Sequence, residues 1–366
     1  MEKVGTVTLH YPYNYGSTLQ AFALQKVLEQ MGYESEIIDY ICMYDFENYK
    51  LFRIHQYKNR PKTFLSDILY LKKNLKRRHS FRKFHKKYLK ITSKKYNSIE
   101  ELKSLNTEMN AFVAGSDQIW NFECTGGVDS VYFLDFVSSS KKKIAYAPSM
   151  GQNGQNQKDL DTIKPMLESF NSLSIREKSM EKKLESLTNR DFEVVLDPTL
   201  LLKSDDYSTL LNKDNDGKYI FVYLLEPNNE LVDYVSKLAK EKELKVLYIS
   251  NITKKKIFDS VNSENLYGLA PNEFLSKLKN AEYVVTNSFH ATVFSIIFEK
   301  RFATFKTRKS FPRMLDLLGN LGLTNRIMDS NFNMDDQIDF KTVNKKLELL
   351  KQNSINFLKS ALSKND

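Results

Sequence analysis

Cysteine is almost missing from this chain of 366 residues, with only Cys42 and Cys124 present. No CxxC pair occurs and no histidine stands at ligand spacing from either, which excludes a disulfide framework and argues against a zinc site. Long apolar runs are missing too: nothing approaches the roughly 18 consecutive apolar residues of a membrane-spanning helix. No internal repeat or low-complexity tract is evident. The stretch MEKVGTVTLHYPYNYG has the pattern of a strand and loop rather than of a secretory signal. A reducing, cytoplasmic location is the expectation. The fingerprints of nucleotide cofactors are lacking, since the turn Gly16-Ser17-Thr18 has neither the lysine of a P-loop nor the spacing of a dinucleotide site. No carboxylate cluster calls for a metal, so metal-independent chemistry without a cofactor is expected.

Acid is absent from one segment almost entirely. Between Lys50 and Lys95 there are 17 Lys or Arg against the single acid Asp67, a local net of +16 within an overall +10, so the remainder carries −6. The apolar residues there (Leu65, Ile68, Leu69, Leu75, Phe81, Phe84, Tyr88) recur at helical spacing, which predicts basic amphipathic helices. Such helices favour anionic surfaces. No nucleic-acid module accompanies them, so the expected partner is the anionic inner face of a membrane, contacted peripherally through residues 50–95, and not DNA or RNA. A charged face that is merely solvated is the plainer alternative.

With hydrophobic residues at 41%, the rest has the composition of a packed protein, and its length suits two domains. Strand and helix patterns alternate, which predicts α/β architecture with mostly parallel sheets. Val4–Leu9, Ile37–Tyr40, Ala111–Ala114, Lys143–Pro148, Ser172–Ile175 and Val194–Leu196 are the strands expected first. A polar break near 201–216 precedes a new series, Tyr219–Leu225, Val246–Ile249 and the run ending at Thr286. The expected domains are 1–205, with a basic helical insert at about 50–95, then 206–340, then a terminal helix at 341–366 packing back on the first domain. Open parallel sheets bind ligands at the carboxyl ends of their strands, which directs attention to the loops following them.

The most informative of these is in Tyr283–Phe298, YVVTNSFHATVFSIIF. A β-branched strand stops and an apolar helix begins, with Asn287 or Ser288 as N-cap and His290 in the first turn. A helix N-terminus favours anions, and an imidazole beside it can move protons around a bound phosphate or carboxylate. In Asn14-Tyr15-Gly16-Ser17-Thr18, a glycine free to take positive φ and hydroxyls at a helix start could cradle a phosphate. In Gly115-Ser116-Asp117-Gln118-Ile119-Trp120-Asn121, Asp117 can accept a hydroxyl proton and Trp120 offers an apolar plate to a sugar, unless Asp117 is a cap and Trp120 a core anchor. Arg176, at a strand end, can hold a carboxylate or phosphate. Asp197 reads as a capped turn, and the basic loop Lys306–Ser310 as a flexible cover for an anionic substrate.

Taken together, NYGSTLQAFALQ, GSDQIWN, YAPSMG, SIREKS, LDPTLLL and NSFHATVFSIIF resemble the polysaccharide pyruvyl transferase family, in its order and over nearly the whole chain outside the basic segment. The resemblance implies a glycosyltransferase-B-like fold, two Rossmann-like domains facing a central cleft. It implies phosphoenolpyruvate as donor and, as acceptor, a sugar of a surface polysaccharide or its lipid-linked precursor. His290 then matches the family's functional histidine, for donor binding or proton transfer, and Arg176 a donor-holding arginine. Asn14, Gly16, Ser17, Ser288, Lys306 and Arg308 complete the expected donor site. Asp117 is the expected acceptor-hydroxyl base, with Gln118 and Trp120 on the acceptor. One departure stands out: many members carry arginine two positions before the histidine, where this chain has Ser288. Arg308, Lys306 or Arg301 would have to supply the missing charge, or the donor differs. Two rival readings are a nucleotide-sugar glycosyltransferase of the same fold and a non-catalytic, membrane-associated scaffold of polysaccharide assembly.

Overall fold

The short apolar runs Ala111–Ala114, Tyr219–Leu224 and Tyr283–Thr286 form strands in which every residue is buried, as the interior of a parallel sheet requires. The structure, a computed structural model, describes residues 1–60, 62–151, 156–213, 216–250, 257–307 and 311–363. The chain forms two compact units. The first holds Met1–Leu75, Arg82–Leu202 and the residues from Leu349 on; the second holds Lys76–Phe81 and Lys203–Glu348.

In the first unit, seven strands form a wholly parallel sheet: β1 (Lys3–Val7), β2 (Glu34–Tyr40), β3 (Ile91–Tyr96), β4 (Ala111–Ala114), β5 (Lys142–Ala145), β6 (Ser172–Ile175) and β7 (Glu193–Val194), in the order β3-β2-β1-β4-β5-β6-β7. The order reverses direction at β1 and β4, the crevice where open α/β sheets place ligands. The helix Tyr15–Gln30 follows β1 and is buried along most of its length. The terminal helix Phe340–Leu362 reaches this unit through Ser354, whose Oγ accepts from the Leu196 amide (3.0 Å), and through Phe357, 6.3 Å from the Tyr146 ring.

The second unit has five parallel strands, β8 (Tyr219–Leu224), β9 (Lys245–Ser250), β10 (Ser263–Asn265), β11 (Tyr283–Thr286) and β12 (Arg301–Thr304), ordered β10-β9-β8-β11-β12. The α/β class with two Rossmann-like parallel sheets is therefore what the structure shows. Among the described residues no helix is long and apolar enough to cross a membrane.

Three strands are not visible in the sequence pattern. β3 lies inside the basic stretch expected to be helical, yet pairs with β2 through Ile37↔Ile91 and Tyr40↔Tyr96. β10 is three polar residues on an edge, and β12 follows its helix after a turn of three residues. Before β3, residues 43–88 contain the helices Met43–Asn48, Ile54–Tyr57, Lys62–Leu69 and Leu71–Tyr88. Phe81 and Phe84 are buried there, whereas Leu65, Ile68, Leu69 and Leu75 are exposed.

Candidate active site

In the first unit the carboxyl ends of β1, β4, β5 and β6 carry a buried polar cluster. Ser17 Oγ donates to Asp117 Oδ2 at 2.5 Å. Asp117 Oδ1 lies 3.8 Å from Arg176 Nη2, and Arg176 Nη1 donates to Asp197 Oδ2 at 2.6 Å. Asp197 also caps the turn Pro198–Leu201, accepting from the Thr199 amide and hydroxyl at 3.0 and 2.7 Å. Ser149 donates to Glu177, whose residue is 2% exposed. Burial works to lower the Arg176 pKa, but Asp197, Glu177 and Asp117 outweigh it and hold the group above its ordinary range. Gly115 makes the approach of these loops feasible. Its φ is +142°, and a Cβ there would stand 1.9 Å from the Tyr146 carbonyl oxygen.

This geometry revises several expectations. Arg176, expected to hold an anionic group of the donor, is buried beside the carboxylates of Asp197, Glu177 and Asp117. Gly16 is not at positive φ but inside the first turn of the helix Tyr15–Gln30. The amides of Gly16 and Ser17 point at Asn14 Oδ1 (2.8 and 3.5 Å), so Asn14 fills the place where a phosphate would bind. Ser17 directs its hydroxyl to Asp117 instead. Trp120 is wholly buried, stacked on Phe133 at 5.2 Å, with Nε1 donating to the Tyr132 carbonyl (3.0 Å). It anchors the core and presents no plate to a sugar. Gln118 is half-buried, its Oε1 accepting from Asn121 Nδ2 at 2.7 Å. Trp120→Ala is expected to cost about 3–5 kcal/mol of stability, measured by urea unfolding, with acceptor KM unchanged in the folded fraction. A Trp120→Phe variant that kept stability but lost acceptor affinity would reverse this assignment.

The same edge holds a second set of groups that sequence reasoning missed. His10 Nδ1 lies 3.2 Å from the Thr8 carbonyl and Nε2 3.2 Å from Asp39 Oδ1. His85 Nε2 lies 3.2 Å from Thr18 Oγ1. Burial foremost, with His10 adding to it and Asp39 opposing, pushes the His85 imidazole down to about 3. Folded His85 is thus neutral where an unfolded histidine, titrating near 6.5, takes up a proton. The contribution is intact above that pH and is lost as pH falls toward 3, at about 1.4 kcal/mol per unit. Urea unfolding from pH 7.5 to 4.5 should show a shallower slope for His85→Gln than for the parent; parallel curves would contradict the neutral histidine.

In the second unit β11 ends at Thr286 and the helix Phe289–Ile297 begins, with Ser288 as its N-cap. The cap bond, Ala291 N–H to Ser288 Oγ, is long at 3.5 Å. Asn287 is not the cap. Its Oδ1 accepts from the Leu225 amide (2.7 Å) and its Nδ2 donates to the Glu226 carbonyl (2.8 Å), tying this turn to the end of β8. Thr292 Oγ1 donates to the Ser288 carbonyl (3.0 Å) and meets Thr304 Oγ1 (2.9 Å), fixing the first turn against β12. His290 sits half-buried in that turn, its ring 5.2 Å from that of Phe289.

The cations divide sharply. Arg301 is exposed and pairs in register with Tyr283 at the amino end of β11, about 10 Å of strand from the turn. Lys306 is exposed past β12, 5.4 Å from the Phe311 ring. Arg308 lies outside the described residues. Arg313, which no sequence motif singled out, is buried in the first turn of the helix Phe311–Leu321, its guanidinium 5.9 Å from the Phe289 ring centroid. An amphipathic helix conceals such a residue, because its place on the inner face shows only once the helix is packed. Among the described residues no group of three His, Cys, Asp or Glu could hold a metal.

No curated protein matches the sequence significantly. Solved structures with a similar course of the chain include UDP-N-acetylglucosamine 2-epimerase from Rickettsia bellii, at 12% identity, 98% of this chain, 96% of that chain and a TM-score of 0.49. UDP-GlcNAc 2-epimerase from Methanocaldococcus jannaschii matches at 12% identity over 95% and 92%, TM-score 0.48. ADP-heptose lps heptosyltransferase II of E. coli matches at 10% over 96% and 99%, TM-score 0.39. Nothing about the chemistry of this chain follows from such distant likenesses. The sequence itself is decisive, because the model of the family described as polysaccharide pyruvyl transferase matches residues 14–308. The chain belongs to the polysaccharide pyruvyl transferase family.

Proposed function

We propose that this protein transfers the pyruvyl group of phosphoenolpyruvate to a sugar of a surface polysaccharide, or of its lipid-linked precursor, releasing phosphate and leaving pyruvate as a cyclic ketal. The observation that carries this reading is His290 in the first turn of the helix Phe289–Ile297, at the carboxyl end of β11, in a chain of this family. Protonation of the donor's methylene carbon gives an oxocarbenium-like centre. A sugar hydroxyl attacks it, phosphate leaves, and a second hydroxyl closes the ketal. His290 is assigned to that proton, with the helix N-terminus favouring the donor's negative charge. No metal or cofactor enters these steps, and full turnover in a chelator is the corresponding expectation.

Arg313 is our assignment for the charge that Ser288 cannot supply, because it packs against the ring adjacent to His290. Arg313→Met is expected to raise the KM for phosphoenolpyruvate at least ~tenfold, with Arg301→Met silent; an unchanged KM would remove Arg313 from the site. The function itself is tested by phosphate release from phosphoenolpyruvate with a panel of lipid-linked sugars. Acceptor-dependent release is the expected result. Failure to bind phosphoenolpyruvate, with tight binding of a nucleoside diphosphate, would turn the assignment to sugar transfer.

A further inference from the structure

We infer that the face formed by the helix Lys62–Leu69 and its neighbours docks on an anionic lipid surface. This helix is turned inside out. Its one buried residue is the acid Asp67, 1% exposed, whereas Phe64, Leu65, Ile68 and Leu69 are 45, 67, 50 and 65% exposed. An amphipathic helix in a water-soluble domain normally turns its apolar stripe inward. Here a polar anchor holds the opposite orientation. Asp67 accepts from the Arg53 amide (2.9 Å), from Arg53 Nε (3.0 Å) and from the Tyr57 hydroxyl (3.0 Å), and pairs with Arg53 Nη2. The Tyr57 ring meets Phe64 edge-on at 5.3 Å, closing the helix Ile54–Tyr57 onto this one. The single acid between Lys50 and Lys95 is thus neutralised inside the helix pair, and the apolar stripe points out.

The stripe is not an isolated accident of exposure. Of the thirteen strongly exposed large apolar side chains among the described residues, nine lie between Met43 and Leu75. Lys58, Arg60, Lys62, Lys72 and Lys73 flank it in sequence and are all exposed. Nucleic acid would match the cations but offers nothing to four adjacent apolar side chains. A second copy of the chain would bring like charges face to face. The boundary between headgroups and acyl chains satisfies both: phosphates meet the cations while Phe64, Leu65, Ile68 and Leu69 enter the apolar layer. Eight residues are too few to span a bilayer, so the helix lies in its plane.

Co-sedimentation of the full chain with vesicles tests this, comparing about one-third phosphatidylglycerol in phosphatidylcholine with phosphatidylcholine alone at physiological salt. The chain is expected to pellet with the anionic vesicles only. Leu65→Asp combined with Leu69→Asp should weaken partitioning at least ~tenfold, as should Lys72→Glu combined with Lys73→Glu, at about fivefold per charge. Both variants should keep the parent's unfolding temperature, because the altered side chains are exposed. Absence of pelleting with anionic vesicles even at low salt would overturn the inference. So would binding indifferent to Leu65→Asp/Leu69→Asp, or a parent dimer in light scattering that this variant converts to monomer. Oligonucleotide binding that survives the apolar changes, without vesicle binding, would assign the face to nucleic acid instead.

Discussion

Asp197→Ala is expected to remove about 3–5 kcal/mol of folding stability, a large part of the roughly 5–15 kcal/mol that holds a typical domain together. The substitution does two things at once. It deletes the acceptor at 2.6 Å from Arg176 Nη1, a guanidinium that is 3% exposed, and so removes the shortest of its two ion pairs described above. It also removes the side-chain cap of the turn Pro198–Leu201. Asp197→Asn separates these effects, since the amide keeps an acceptor for Thr199 but not the charge. Its loss should fall between those of the alanine variant and the parent. Urea unfolding of the three proteins decides the matter. A loss below about 1 kcal/mol for Asp197→Ala would mean that the ion pair does not hold the ends of β6 and β7.

His290→Gln is expected to lower kcat/KM for pyruvyl transfer by about 10²- to 10⁴-fold, the usual worth of a positioned proton donor. Glutamine keeps much of the shape and hydrogen-bonding reach of imidazole but cannot exchange a proton near neutral pH. Asn287, Ser288 and Thr292 hold the turn, so the variant should stay folded, with a stability loss within the ordinary range of about 0.5–3 kcal/mol. Single-turnover phosphate release is the appropriate measurement. Retained turnover would transfer the proton to another group, whereas a KM increase at constant kcat would make His290 a binding residue only.

The contrast between the two motif regions shows how much of the site was legible beforehand. The strand–cap–helix pattern of Thr286, Ser288 and His290 is local, and local chemistry determined it: β-branched residues end, a hydroxyl caps, an apolar helix starts. The Asn14–Thr18 turn was equally visible as a helix start, but its amides face Asn14 and its serine faces Asp117, a residue 100 positions away. Nothing in a single sequence reports such a partner. Trp120 fails as a sugar plate for the same reason. Its burial depends on Phe133 and Tyr132 arriving from another segment.

The sequence by itself determined the α/β class, most strands of both sheets and the placing of His290 at a helix N-terminus, because hydrophobic period and capping act within a few residues. It also carried the family. Tertiary structure alone decided what surrounds each charge and each apolar face. Packing enclosed Arg176 among three acids, brought Arg313 to the Phe289 ring, and turned the apolar stripe of the helix Lys62–Leu69 outward around Asp67. The physical reason is common to all three. What surrounds a charge or an apolar face depends on partners distant in the chain, and burial strengthens whichever pairing the fold completes.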